Sequence, residues 1–177
     1  MIVAVFGSAS PKPGDALYEQ AKHLGYLLAQ KGYTVMTGGY CGTMESTLEG
    51  VLQVPGAHTI GVSCDEIEAY RPGKVNQWVR QEARTQTLSE RIDFLCRKAD
   101  AFIAVDGGVG TLAEVMIAYN LLVIGAIPRK PLILIGEAWR SIFEQFYEKQ
   151  HAHMPAFVRD LPVFVADPEE AVMALEK

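Results

Sequence analysis

The sequence is poor in the features that would settle compartment or partner outright. Cysteine is scarce: Cys41, Cys64 and Cys96 are an odd number without a C-x-x-C spacing, which excludes a disulfide-stapled secreted scaffold and matches reduced thiols in a cytoplasm. Histidine is scarce too. His151 and His153 form an H-x-H pair, but no Cys or His cluster elsewhere completes a ligand set, so the pair is assigned to a surface loop and no metal site is expected. Basic charge is in deficit: 16 Lys and Arg against 21 Asp and Glu leave a net charge of −5, which argues against a broad cationic face for duplex nucleic acid. Long apolar runs are lacking. Residues 2–6 have no basic leader and are too few for a signal-peptide core, and residues 115–127, interrupted by Tyr119 and Asn120, fall short of the ~20 residues of a spanning helix. Neither export nor membrane insertion is expected.

What is present is ordinary for an enzyme-sized domain. The 177 residues are 49% apolar and 21% charged, enough chain to bury roughly two thirds of its unfolded surface, and a single domain over residues 1–177 is expected. Residues 2–6 read as a strand buried on both faces, ended by Gly7-Ser8. Asp15 is positioned to cap a helix whose Leu17, Ala21, Leu24 and Leu28 recur at helical spacing and which Lys31-Gly32 stops. A strand at 34–37, a helix at 43–54 closed by Pro55-Gly56 and a strand at 58–62 follow, then a less regular stretch at 63–76. A long helix is expected over 78–98, with Arg84, Arg91 and Lys98 every seven residues beside a buried stripe of Leu88, Ile92, Leu95 and Ala99. Strand 101–105, a helix from about Thr111, strand 132–135, helix 138–149, strand 163–165 and a helix from Pro168 complete the pattern. Strands separated by helices imply right-handed βαβ crossovers, hence an α/β, Rossmann-like, doubly wound domain with a mostly parallel sheet flanked by helices.

In such sheets ligands bind beyond the carboxyl ends of the strands. The loops there are Gly7-Ser8 and residues 38–43, 63–68 and 106–111. Glycines cluster in two of them, and those two are near copies, GGYCGTME from Gly38 and GGVGTLAE from Gly107. A strand, a glycine turn and a helix N-terminus make an anion site, because free amides point outward, the helix dipole favours negative charge and missing β-carbons let the ligand approach. Gly107, Gly108, Gly110 and Thr111 fit that description. The loop is neither G-x-x-x-x-G-K-[ST] nor G-x-G-x-x-G, which argues against a P-loop ATPase and an ordinary NAD dehydrogenase. Thr111-Leu-Ala-Glu114 equally fits a T-x-x-E capping box that needs no ligand, and spacing alone leaves both readings open. Asp106 stands in the same loop, where a carboxylate repels a phosphate unless it points away or binds a sugar hydroxyl.

Arg91, followed fifteen residues later by Asp106 and then by Gly-Gly-Val-Gly-Thr-Leu-Ala-Glu114, resembles the Lonely Guy (LOG) family of cytokinin-activating phosphoribohydrolases, formerly labelled lysine decarboxylase-like. The likeness extends to Phe6-Gly7-Ser8-Ala9-Ser10 and to Thr37-Gly38-Gly39 with Gly42-Thr43-Met44. Two positions depart from the family pattern: its lysine after the arginine is Ile92 and its loop-opening proline is Asp106, which moves the chain toward the molybdenum-cofactor-carrier-like relatives. The resemblance implies hydrolysis of the N-glycosidic bond of a nucleoside 5′-monophosphate, of AMP or cytokinin ribotide type, to base and ribose 5-phosphate. The alternative it implies is a non-catalytic nucleotide or molybdenum-cofactor carrier. By the same resemblance Glu114 stabilises the cationic sugar and orients water, Arg91 positions the phosphate or sugar, and the amides of Gly108, Gly110 and Thr111 cradle the phosphate. Asn120 falls where the family carries a polar substrate contact, and Ser8, Gly38 and Gly39 complete the wall. The resemblance also implies a homodimer and no cofactor; no lysine stands in a Schiff-base context for pyridoxal phosphate.

Overall fold

The short apolar runs of the sequence become strands of one parallel sheet. The computed structural model describes residues 1–176. Among the described residues, seven strands alternate with seven α-helices: β1 (Ile2–Phe6), α1 (Ala16–Gln30), β2 (Thr34–Thr37), α2 (Thr43–Val51), β3 (Thr59–Cys64), α3 (Asp65–Tyr70), β4 (Gln81–Thr85), α4 (Leu88–Lys98), β5 (Ala101–Ala104), α5 (Val109–Val123), β6 (Leu132–Ile135), α6 (Glu137–Gln150), β7 (Pro162–Val165) and α7 (Pro168–Ala174). The strand order is β4-β3-β2-β1-β5-β6-β7, with every pair parallel. The chain steps outward from β1 to β4, then returns to lay β5 against the other side of β1. That reversal is the point where an open α/β sheet leaves a crevice at its carboxyl edge.

Two cores cover the two faces. Strand residues alternate between them, so Val3, Val5, Val35, Ile103 and Ile133 pack with Leu24 and Leu28 of α1, Leu48 and Val51 of α2 and Ala171 and Val172 of α7. Ala4, Phe6, Met36, Phe102, Ala104 and Leu134 pack with Ile92 and Leu95 of α4, Val115 and Ala118 of α5 and Trp139 and Phe143 of α6. Both faces being apolar explains why the strands read as continuous hydrophobic runs. α1 and α2 approach backbone to backbone: a β-carbon at Gly25 would strike the carbonyl of Thr47. The two helices therefore have no tolerance for a side chain at that crossing.

The long helix expected over 78–98 does not form. Its first half is the edge strand β4, paired with β3 from Ile60↔Gln81 to Cys64↔Thr85, and the helix starts only at Leu88. The reason is local: Thr87 and Glu90 make a reciprocal capping box, with the Thr87 hydroxyl accepting from the Glu90 amide and the Glu90 carboxylate from the Thr87 amide. The seven-residue arginine spacing is thereby dissolved. Arg84 lies on β4 and pairs with Asp65 and Glu68 at 2.6 and 2.8 Å, whereas Arg91 lies on α4. Residues 65–70 form α3 within the stretch read as irregular, and Asp15 is the N-cap of α1 without a side-chain cap bond. Its carboxylate instead accepts from the Lys12 amide at 2.8 Å.

Candidate active site

Beyond the carboxyl ends of β1, β2 and β5 lies a cavity of about 500 Å³, within the size range of small-ligand sites. The β1 loop from Gly7 to Ser10 forms its floor. The start of α2 supplies Met44 and Glu45 on one side, the start of α5 supplies Gly108, Gly110, Thr111 and Glu114 on the other, and Arg71 to Asn76 cover it after α3.

The α5 wall is built from backbone. Helix α5 begins at Val109 with Gly108 as N-cap and no side-chain cap bond. The first helical amide with a carbonyl partner is that of Leu112, which donates to Gly108 at 2.9 Å. The amides of Gly108, Val109, Gly110 and Thr111 have no protein acceptor among the described residues. Gly108, Val109 and Gly110 are exposed and Thr111 is buried, and all four amides lie at the positive end of a fifteen-residue helix. This excludes the capping-box reading of Thr111-x-x-Glu114. Thr111 is the third helical residue, too far along to cap, and Glu114 does not reach back to the helix start. Its carboxylate accepts from Nη1 of Arg91 at 3.1 Å.

Arg91 is delivered from α4 and is only 4% exposed. Its Nε donates to the Val62 carbonyl at 2.8 Å, its guanidinium lies 5.7 Å from the Tyr40 ring centroid, and its Nη2 has only the weak acceptor Sδ of Met44, at 3.8 Å. One arm of the fork is thus fixed by protein, and the other keeps donor capacity in a residue that lines the cavity together with Met44. Gly38 explains the geometry: a β-carbon there would overlap Nη2, so the guanidinium occupies the room that glycine leaves. Burial pushes the Glu114 carboxyl above the ordinary carboxylate range, against the pull of the adjacent Arg91 charge and hydrogen bond.

Of the residues expected from sequence, Ser8, Arg91, Gly108, Gly110, Thr111 and Glu114 line this one cavity. Gly38 and Gly39 stand behind its wall. Gly38 backs Arg91, and the Gly39 carbonyl accepts from the amide and side chain of Asn76 at 2.7 and 3.0 Å. Gly107 packs under Thr111. Asn120 is not brought to the site: it is exposed and borders a separate depression with Tyr119, Met154 and Val158, because six residues on from Glu114 is a turn and two thirds of helix, which rotates the side chain away. Asp106 is also turned aside. Its carboxylate faces Gly136 at the end of β6, where a β-carbon would lie 3.4 Å from Oδ1, so its charge does not oppose an anion in the cavity.

Sequence reasoning missed Tyr40, Glu45, Arg71, Lys74 and Asn76. Tyr40 and Glu45 lay inside the glycine block GGYCGTME and could have been weighed there. Asn76 carried no signal. Its Nδ2 ties the cover to the carbonyls of Gly39 and Tyr40, at 3.0 and 2.7 Å, a contact between segments distant in sequence. Among the described residues no group of three or more His, Cys, Asp or Glu stands in a metal-binding arrangement, and no helix is long and apolar enough to cross a membrane.

Comparison with known proteins adds an independent line. The family model described as the SLOG cluster4 family matches residues 1–160. A probable cytokinin riboside 5′-monophosphate phosphoribohydrolase of Oryza sativa subsp. japonica is 33% identical over 185 aligned residues, covering 96% of this chain and 78% of that protein. The cytokinin riboside 5′-monophosphate phosphoribohydrolase of Mycobacterium tuberculosis is 30% identical, covering 75% of this chain and 69% of its own. Among solved structures, the Moco carrier protein of Chlamydomonas reinhardtii superposes with a TM-score of 0.72 at 26% identity, over 99% of this chain and 94% of that one.

Proposed function

The chain belongs to the SLOG cluster4 family, and from that premise we propose that it hydrolyses the N-glycosidic bond of a nucleoside 5′-monophosphate to the free base and ribose 5-phosphate. The observation that carries the reading is the buried Arg91–Glu114 pair beside a run of helix-start amides without protein acceptors. The rice and mycobacterial relatives, named for this reaction class, support it.

The phosphate sits on the amides of Gly108, Gly110 and Thr111, with Ser8 beside it, and the helix dipole favours its charge. That anchor holds C1′ of the ribose over Glu114. As the C1′–N bond lengthens, positive charge grows on the sugar, and the Glu114 carboxylate stabilises it as glycosidase carboxylates do. Water then bonds to C1′ through its oxygen. One water proton passes to Glu114, whose raised affinity for protons suits a general base, and the departing base takes up a proton from solvent, to which Glu114 then returns its own. Arg91 holds Glu114 ionised and oriented, while its free Nη2 reaches a ligand oxygen. No cofactor is required by this chemistry.

The test is incubation with AMP and with a cytokinin riboside 5′-monophosphate, separating base from nucleotide by chromatography. Base release at a rate proportional to enzyme is expected; none at high enzyme concentration, with nucleotide demonstrably bound, overturns the reading. The second reading, a non-catalytic nucleotide or molybdenum-cofactor carrier, is favoured by the likeness to the algal carrier. Native mass spectrometry of freshly purified protein distinguishes it by a retained pterin. The chain also forms a homodimer in this proposal, through the outer side of α5, where Leu112 and Ile117 are 37% and 40% exposed and Ile124, just past the helix end, is 64% exposed. It works in the cytoplasm, consistent with three free cysteines.

A further inference from the structure

Glu45 is the one acidic side chain lining the main cavity apart from Glu114. The two carboxylates differ in what holds them. Glu114 is paired with Arg91, whereas Glu45 has no hydrogen-bond or ion-pair partner among the described residues. One helical turn further along α2, Glu49 accepts from the Tyr18 hydroxyl at 2.9 Å and from Lys22 Nζ at 2.6 Å, so the nearby donors are already engaged. Glu45 is half-buried, and burial, with the neighbouring Glu49 charge, raises its carboxyl above the ordinary range.

An acid in the first turn of a helix is favourable by itself, but such an acid is normally solvated at a surface. This one opens into a cavity whose opposite wall is an anion cradle, where a carboxylate lowers the affinity for any bare phosphate. Its presence is compatible with tight binding only if the ligand brings hydrogen-bond donors to it. The fold sets where those donors must be. α2 packs on one face of the sheet with α1 and α7, and α5 packs on the other. Their N-termini follow β2 and β5, which flank β1 with roughly 10 Å between them at the strand spacing of a sheet, so the β1 loop lies between the two helix starts. A nucleotide with its phosphate on α5 extends its sugar and base over the β1 loop toward Glu45.

Resting on the nucleoside-monophosphate reading above, we infer that Glu45 is a specificity-determining residue, whose two carboxylate oxygens accept hydrogen bonds from a neighbouring pair of ligand donors, either the ribose hydroxyls or the N–H edge of the base. The site is then selective for a complete nucleotide over simple phosphates, using one carboxylate from each face of the sheet for different tasks.

Calorimetric titration of the full chain with AMP, 2′-deoxy-AMP, ribose 5-phosphate and inorganic phosphate tests this, for the wild type and the Glu45→Ala and Glu45→Gln variants, with melting curves to confirm folding. Glu45→Ala is expected to weaken AMP by about tenfold to a hundredfold and to leave inorganic phosphate unchanged or tighter. Loss for AMP but not for 2′-deoxy-AMP assigns the donors to the ribose. Equal loss for both nucleotides, without loss for ribose 5-phosphate, assigns them to the base. Wild-type affinity for AMP in both variants, loss that includes inorganic phosphate equally, or no binding of any probe by the wild type overturns the inference. Base release is followed in the same samples. Glu45-dependent selectivity without release overturns the hydrolysis and leaves this inference standing, whereas release by both variants with unchanged KM for AMP does the reverse.

Discussion

Replacing Glu114 by glutamine separates a chemical role from a structural one. Glu114 is 9% exposed, and its carboxylate accepts from Arg91 Nη1 at 3.1 Å. Removing one partner of a buried ion pair costs about 3–5 kcal/mol, because the other charge is left uncompensated. Glutamine keeps an acceptor oxygen within reach of Nη1, so the expected loss is smaller, about 1–3 kcal/mol. For a chain of this size that lowers Tm by about 2–12 °C, at 2–4 °C per kcal/mol. Turnover should fall further than stability explains. The amide carries no charge to stabilise the cationic sugar and accepts no proton from water, so kcat should drop about 10²–10⁴-fold. The amides of Gly108, Gly110 and Thr111 are untouched, and phosphate affinity should be retained. Base release, melting and phosphate titration on the same preparation read out the three effects. Unchanged turnover would show that Glu114 only balances Arg91, and parallel loss of phosphate affinity would show that the pair shapes the cradle.

Glu114 also makes stability depend on pH. Its proton is held more tightly in the folded chain than at the ordinary value of 4.5, so between that pH and the raised value the native state binds more protons and this group's contribution to stability falls as pH rises. The stability advantage of wild type over Glu114→Gln should therefore shrink from acid toward neutral pH; growth with pH refutes the assignment. Gly38→Ala puts a β-carbon onto Arg91 Nη2, and since Arg91 is held at Val62 and Glu114, a cost of about 1–3 kcal/mol is expected together with loss of base release; unaltered activity would mean the guanidinium has room to move. Asn76→Ala removes the side-chain bonds to the carbonyls of Gly39 and Tyr40 while keeping the backbone bond to Gly39, and should raise KM more than it lowers kcat, with faster hydrogen exchange over residues 71–76; unchanged exchange would show that the cover is held elsewhere. Gly25→Ala should destabilise by about 1–3 kcal/mol, because the obstacle is the Thr47 backbone, and its melting shift should appear without any change in ligand affinity.

Much of the architecture was legible because its strands are buried on both faces. Runs such as Leu132–Ile135 stand out as continuous apolar segments between polar turns, and their boundaries coincide with the observed strand. The failure at 78–98 has the same origin in reverse. Gln81–Thr85 is an edge strand with mostly exposed side chains, so burial wrote no pattern into it, and apolar residues further along allowed a helical reading to run through. At the site, the glycine loop was legible from residue type and spacing, whereas Arg91 was singled out by the family resemblance. Asn120 was carried over by position alone and failed on helical rotation.

The sequence by itself determined a parallel α/β sheet, the loops at its carboxyl edge and the residue types able to hold a phosphate, because periodicity and glycine clustering are local properties. The tertiary structure alone decided which charges meet. Arg91 and Glu114 lie on different helices and pair only because α4 and α5 share one face of the sheet, with Gly38 leaving room for the guanidinium. Asp106, which the sequence sets beside the cradle, is turned toward Gly136, while Glu45, inconspicuous in the sequence, opens into the cavity from the other face. Side-chain direction at a strand end depends on the packing of several segments at once, and no single stretch of sequence encodes it.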